Sequence, residues 1–310
     1  MNISYLKYAV EVARCGMLNK AAQNLKIAPS NLSRNIKDLE GEIGIKIFER
    51  TPKGVTLTAE GNEFIRQAKS LLRQMTDIEN LYKNRSDQSV TFSVSVPRAS
   101  YVCEALVELN ILLKDTPVKL YYKESNSIRT IESVMECSCD LGIIRSEKRY
   151  DKYFFDYIAS KGIVSMPIGE YRYRVTTGCN SVIAGLDSVT FEDLRPLTQI
   201  AFADPYVPYI STDVVLESET MSGTKRNIFV VEAMSACHML LEDPTTFMWR
   251  SPMSKRILDK SGLAQKECID HNALHSDILI WRRNYKFSET DKYFIEAVKR
   301  KAEECGMNVR

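Results

Sequence analysis

Five polar residues, Ser30, Asn31, Ser33, Arg34 and Lys37, fall in one short stretch that opens at Pro29. Short hydroxyls and an amide can meet base edges at close range, and a guanidinium can take both acceptors of guanine as a bidentate pair. A lysine ammonium suits a neighbouring phosphate. Farther on, Arg50 and Lys53 bracket Thr51-Pro52 in a run that reads as a turn, where cations can reach a phosphate backbone. A second group, Arg98, Ser100, Ser125, Asn126, Ser127, Arg145 and Phe202, falls next to segments that read as strand ends. Strand ends are where an α/β sheet collects small ligands, and hydroxyls, amides and arginines gathered there favour an anion.

The elements that must position the first group are short. Ile3, Leu6, Val10 and Ala13 fall at helical spacing and predict a helix over Ser4 to Arg14 that stops at Gly16. Asn19 is expected to cap a second helix, Lys20 to Leu25, in which Ala21 and Ala22 permit close approach of a neighbour. Pro29 suits the first turn of a third helix reaching Ile43, because its missing N–H would have been unpaired there. In that helix Leu32, Ile36, Leu39 and Ile43 face inward, which leaves Ser30, Ser33, Arg34 and Lys37 outward with Asn31 beside them. Ile47, Phe48, Val55 and Leu57 flank the turn at 50–54 and predict a two-stranded hairpin. The first sixty residues carry more Lys and Arg than Asp and Glu, whereas the whole chain of 310 residues is only +2. That local surplus permits contact with nucleic acid.

Ala21-Ala22, Leu25, Leu32-Ser33-Arg34, Leu39-Glu40, Gly44, Ile47-Phe48-Glu49-Arg50, Gly54, Leu57-Thr58 and Gly61 resemble, with intact spacing over positions 3 to 61, the LysR-type transcriptional regulators. The resemblance implies an N-terminal all-α winged helix-turn-helix with a long linker helix, then a C-terminal α/β effector domain of two Rossmann-like subdomains that is periplasmic-binding-protein-like. The corresponding boundaries are 1–58 for the head, 59–88 for the linker helix and hinge, and 89–310 for the effector domain. Subdomain I would take about 89–161 and 268–310, and subdomain II about 162–267. The implied partners are promoter double-stranded DNA, a small-molecule effector, a second copy through the linker helices, a homotetramer, and RNA polymerase. A cytoplasmic, prokaryotic setting follows from the same resemblance. Many relatives place a Ser and a Gln or Pro where this chain has Ala28 and Pro29, and Ala28 gives up a side-chain cap worth about 1 kcal/mol.

From Thr58, an expected cap, the chain runs to Tyr82 without proline. Phe64, Ala68, Leu71, Met75, Ile78 and Tyr82 alternate in steps of four and three, a narrow seam that fits a twin helix better than a globular core. At 1.5 Å per residue such a helix spans roughly 37 Å. Polar residues 83–89 read as a hinge. Then Val90 to Val96, Val102 to Leu113, Val118 to Tyr122, Ile128 to Met135 and Leu141 to Ile144 alternate strand and helix, which argues a parallel or mixed sheet. Tyr171 to Thr177 opens a second alternating set that continues through Gln199 to Phe202, Phe229 to Leu241 and Thr246 to Trp249. A strand at Asp277 to Trp281 and a helix from Ser288 to Cys305 are expected to rejoin the first subdomain.

Other chemistries find little support. Eight cysteines show no C-x-x-C spacing, and the nearest approach is Cys137-Ser138-Cys139. A redox-sensing regulator using these thiols is an alternative, but small buried thiols are the commoner use of cysteine in a chain without an export signal. A ligand-independent architectural DNA-binding protein is a second alternative, and it leaves the α/β domain without a purpose. His238, His271 and His275 are the only histidines, none at metal spacing, and the 13 glycines form no phosphate loop. No enzyme activity, metal or cofactor is therefore expected. The amino-terminal run carries Lys7, Glu11 and Arg14 among its apolar residues, so it reads as a helix and not as an export signal or membrane span.

Overall fold

The computed structural model describes residues 2–52, 54–83, 89–219 and 223–309. Lys53 and most of the expected hinge lie outside them. The chain divides into two compact units, Met1–Gln88 with Met135–Ser138, and Ser89–Val134 with Cys139–Arg310.

In the first unit α1 (Ile3–Cys15), α2 (Leu18–Leu25) and α3 (Pro29–Ile43) precede a hairpin of β1 (Phe48–Thr51) and β2 (Gly54–Leu57), and α4 (Ala59–Lys83) follows. Leu6, Ala9, Val12, Ala21, Ala22, Leu32, Ile36, Leu39, Ile47, Ile65 and Ala68 form the core. The buried stripe of α1 is thus Leu6, Ala9 and Val12, and Ile3 is exposed, a shift from the predicted stripe. Val10 and Ala13 are half-buried at the edge of that core. A second correction concerns Asn19. Gly16 ends α1 in the left-handed conformation, and α2 begins at once from Met17, whose carbonyl accepts the N–H of Ala21 at 3.1 Å. Asn19 is therefore inside the helix.

Two glycines are set by close approach. A Cβ on Gly54, whose φ is +138°, would stand 2.3 Å from the carbonyl oxygen of Gly16. The same oxygen accepts Val55 N–H at 2.8 Å and docks the hairpin on the α1–α2 turn. A Cβ on Gly61 would stand 2.0 Å from the carbonyl oxygen of Ile47, where α4 crosses the start of the hairpin. Thr58 caps α4 as expected, its Oγ1 accepting Gly61 N–H at 2.8 Å. The expected seam is partly spent here: Ala68 is buried and Phe64 half-buried in the head's own core, and Leu71 is exposed. The side chains of Ile78 and Tyr82 lie outside the described residues.

The second unit contains β3 (Val90–Val96), α5 (Ser100–Leu112), β4 (Val118–Glu124), α6 (Ser127–Met135), β5 (Leu141–Glu147), α7 (Asp151–Ser160), β6 (Ile163–Arg172) and β7 (Arg174–Gly178). It continues with β8 (Ser188–Val189), α8 (Phe191–Leu194), β9 (Thr198–Phe202), α9 (Thr212–Glu219), β10 (Arg226–Val230), α10 (Ala233–Glu242) and β11 (Thr246–Arg250). It ends with α11 (Lys255–Ser261), β12 (Leu263–Cys268), β13 (Leu274–Arg282), α12 (Glu289–Glu304) and β14 (Asn308–Val309). One sheet runs β14-β6-β13-β5-β3-β4 and the other β10-β9-β11-β7-β12-β8. In each, parallel strands (β5-β3-β4 and β10-β9-β11) are extended by antiparallel ones. These are the two α/β subdomains.

The first crossing between subdomains is at Tyr173, and the second lies between Cys268 and Leu274. The boundary near residue 162 is corrected: β6 pairs with β13 along nearly its whole length and belongs to subdomain I. The expected strand Tyr171 to Thr177 is likewise two strands, in different sheets, meeting at Tyr173. No helix among the described residues is long and apolar enough to cross a membrane.

Candidate functional site

The outer face of α3 is open. Ser30, Asn31, Arg34 and Lys37 are exposed, and Ser33 is half-buried because Arg50 on β1 lies over it, with Arg50 Nη2 3.5 Å from Ser33 Oγ. The N-cap, Ala28, makes no side-chain bond, so the first-turn N–H groups of α3 keep no side-chain partner there. Arg14 is held by Glu11 at 2.6 Å and Lys46 by Glu40 at 3.1 Å, whereas Arg34, Lys37 and Arg50 have no acidic partner among the described residues. Cations left uncommitted on one face are what a polyanion recruits.

Glu40 fixes the hairpin to that helix. Its Oε1 accepts the N–H groups of Ile47 at 2.8 Å and Phe48 at 3.1 Å. Burial opposes its ionisation, but the Phe48 amide, the Lys46 ammonium and the Ile47 amide outweigh it and hold the carboxyl below its ordinary range. Arg50 therefore projects from a strand tied to α3 itself.

The second site is a cleft of about 470 Å³ between the two α/β subdomains. Arg98, Ser125, Asn126, Ser127, Arg145 and Phe202 all line it, brought there by the ends of β3, β4, β5 and β9. Ser100 does not, which corrects its assignment. Ala99 takes the N-cap of α5, so Ser100 is already helical and its Oγ is buried without a hydrogen-bond partner among the described residues. Ser127 Oγ donates to the carbonyl of Arg145 at 2.9 Å and accepts its N–H at 3.1 Å, which spends the hydroxyl on the fold.

The arginines are also committed. Arg145 gives Nε and Nη2 to Asp277 at 2.8 and 2.7 Å, and the same carboxylate accepts Tyr101 OH at 2.5 Å and Tyr171 OH at 2.9 Å. Burial pulls the Arg145 pKa down, but Asp277 and the surrounding tyrosines carry it well above normal. Burial, and then Asp277, raises Tyr101; burial also raises Tyr171, against the pull of Arg145, so both stay neutral donors. Arg98 pairs with Asp204 at 3.0 Å, and Arg149 with Glu147 at 2.7 Å.

Several lining residues were not anticipated. Tyr173 stacks on His275 at 3.8 Å, His275 lies 6.4 Å from His271, and His271 stacks on Trp249 at 4.5 Å. Burial first, then Arg145, pushes His275 down to about 3, and burial lowers His271, so both imidazoles are neutral near pH 7. Their Nδ1 atoms are buried with no hydrogen-bond partner among the described residues. Arg250, at the carboxyl end of β11, also lines the cleft and donates to Cys237 Sγ at 3.3 Å, with no acidic partner among the described residues. The strand-end rule that singled out Phe202 applies equally to Arg250.

No cluster of His, Cys, Asp or Glu among the described residues could hold a metal. Cys137 and Cys139 are buried and are not joined in a disulfide.

Comparison with known proteins identifies the head. The profile for bacterial regulatory helix-turn-helix proteins of the lysR family matches residues 3–62. Residues 3–62 are a helix-turn-helix domain of the lysR type. An uncharacterised HTH-type transcriptional regulator, YcgK of Bacillus subtilis, is 38% identical over 96 residues, which is 31% of this chain and 29% of that protein. AlsR of Bacillus subtilis is 26% identical over 231 residues, 74% of this chain and 72% of AlsR. The solved structure of full-length CbnR in complex with its target DNA superposes with a TM-score of 0.58 at 19% identity, covering 97% of this chain and all of that one (100%). The last likeness is one of fold, and it places both the head and the paired α/β subdomains in the LysR architecture.

Proposed function

We propose that this chain is a sequence-specific DNA-binding transcriptional regulator whose promoter binding is modulated by a small molecule held between its two α/β subdomains. The observation that carries the proposal is the open face of α3. Ser30, Asn31, Arg34 and Lys37 face solvent, the three cations of the face have no acidic partner among the described residues, and the hairpin sets Arg50 beside Ser33. Ser30, Asn31, Ser33 and Arg34 read base edges, while Lys37, Arg50 and Lys53 hold phosphates. CbnR was solved with its target DNA, which supports the same use of this head.

The C-terminal part of the α4 stripe, from Leu71 onward, joins two copies so that two heads meet adjacent half-sites, and effector domains pair dimers into a tetramer able to meet RNA polymerase. An anion-bearing effector in the cleft changes the angle between subdomains and with it the spacing of the heads. A cytoplasmic location suits both partners. Neither catalysis nor thiol chemistry is part of this reading.

Footprinting on the intergenic DNA beside the chain's own gene tests it. Protection of two half-sites about one helical turn apart, outcompeted weakly by random DNA, is the expected result. Salt-sensitive binding indifferent to sequence would replace the regulator with an architectural protein.

A further inference from the structure

Among the cleft's arginines, Arg98 is tied to a carboxylate from the opposite subdomain. Asp204 lies in the loop after β9, in subdomain II, whereas Arg98 and Asn126 follow β3 and β4 in subdomain I. The Asp204 carboxylate accepts Arg98 Nη1 at 3.0 Å and Nη2 at 3.3 Å. Asn126 Nδ2 reaches its Oδ2 at 3.4 Å and its backbone carbonyl at 3.0 Å. Asn126 is itself held by Arg129 N–H, which donates to its Oδ1 at 3.0 Å. The Arg98 guanidinium rests on the ring of Phe202 at 4.1 Å, and the pair is only 12% and 17% exposed. By contrast, Arg145 and Arg149 find their carboxylates within subdomain I.

We propose that Asp204 is an internal stand-in for an effector's own carboxylate. The cleft takes a compact organic acid whose carboxylate displaces Asp204 from Arg98 and Asn126, which removes this tie between the subdomains and leaves the one from Glu104 to Ser254 and Arg256 in place. The inference rests on the effector reading above and names the chemistry of the ligand. A fork of two guanidinium donors accepts any carboxylate in the same bidentate geometry, so the exchange replaces one charge pair by an equivalent one. A neutral ligand offers Arg98 nothing in return. The remainder of the acid meets Tyr173, Phe191, Tyr206 and Trp249, a lining suited to a flat apolar group. While Asp204 holds the fork, apparent affinity falls by the fraction of molecules in which the fork is free. Removing the internal competitor must then tighten binding of acids and leave their amides unaffected.

The test uses the full chain with Asp204→Asn and Asp204→Ala, titrated by calorimetry with acetate, succinate and phenylacetate and with phenylacetamide as the neutral isostere. At least one acid is expected to bind the Asp204→Asn protein about tenfold more tightly than the unchanged protein. Phenylacetamide should bind both alike, and Arg98→Gln should abolish the preference for acids in either background. Thermal melts identify a variant that fails to fold; the isosteric Asn substitution carries the test if Ala does. Acid affinity unaltered by loss of Asp204, no acid binding at all, or equal gains for acid and amide would overturn the proposal. Footprints taken in parallel separate the two claims. An acid gain with an unmoved footprint sinks the coupling to DNA and supports the clamp, and ordinary promoter binding without an acid gain sinks the clamp alone.

Discussion

Glu40 on α3 accepts the backbone N–H of Ile47 at 2.8 Å, so the helix with the open polar face and the strand leading to Arg50 share one buried joint. The joint is charged, since the same carboxylate meets Lys46 at 3.1 Å. Replacing Glu40 by Ala should cost about 2 kcal/mol, because the buried Ile47 amide and the half-buried Phe48 amide lose a charged acceptor. The sign of its pH dependence follows from the depressed pKa. The contribution is whole above the ordinary glutamate range, near 4.3, and is lost as pH falls toward the lower folded value. Urea melts of the full chain at pH 7 and at successively lower pH would reveal it; a variant whose stability tracks the unchanged protein at both ends would contradict the joint.

Reader and anchor are separable. Arg34→Ala should reduce discrimination between promoter and random DNA by about 1 to 3 kcal/mol. Arg50→Ala, and likewise Lys53→Ala, should weaken all sequences alike and lower the slope of log K against log salt by about 0.9. Competition gel shifts at several salt concentrations measure both. Equal losses on specific and random DNA for Arg34→Ala would void its assignment.

Gly61→Ala should destabilise the head by about 1 to 3 kcal/mol, since the added methyl falls on the Ile47 carbonyl and α4 must shift. Because that shift loosens α4 against the hairpin, DNA affinity should fall with stability. Thermal unfolding and gel shift on the same preparation check the pairing, which fails if stability is untouched.

Asp277 holds Arg145 together with two tyrosine hydroxyls and is itself fully buried. Asp277→Asn leaves a buried guanidinium without its counter-charge and should cost about 3 to 5 kcal/mol. Chemical denaturation of the variant reports this. A loss under 1 kcal/mol would mean that Arg145 finds another partner.

His275 should make the effector domain acid-sensitive. Its folded pKa of about 3 lies below the ordinary value, so the unfolded chain binds the extra proton. Its contribution is complete above about pH 6.5 and falls by about 1.4 kcal/mol per pH unit below it, until the folded group titrates. His275→Phe, which keeps a ring against Tyr173, should flatten that part of the stability profile; an unchanged slope would assign it elsewhere.

How much of this was legible follows from how local each signal is. The head could be read because its helices are short, their apolar spacing is regular, and Gly16, Pro29 and Thr58 punctuate them. Even there Ile3 was overvalued, since periodicity names a face but not which of its members a small core has room for. In the effector domain the strand ends located six lining residues from chain position alone. The crossing was misplaced because β6 and β7 follow one another with only Tyr173 between, and no turn residue marks the change of sheet. The stack of Tyr173, His275, His271 and Trp249, and the tie between Arg98 and Asp204, join residues far apart in sequence. Spacing cannot announce contacts of that kind.

The stack has an optical consequence. Tyr173 sits on one crossing strand, His271 and His275 flank the other, and Trp249 closes the row from β11. Any rotation of one lobe about these two strands must slide ring over ring, and the indole rides on the last of them. Trp249 is one of only two tryptophans in the chain, so the colour and yield of its emission form a built-in protractor for the angle between the lobes.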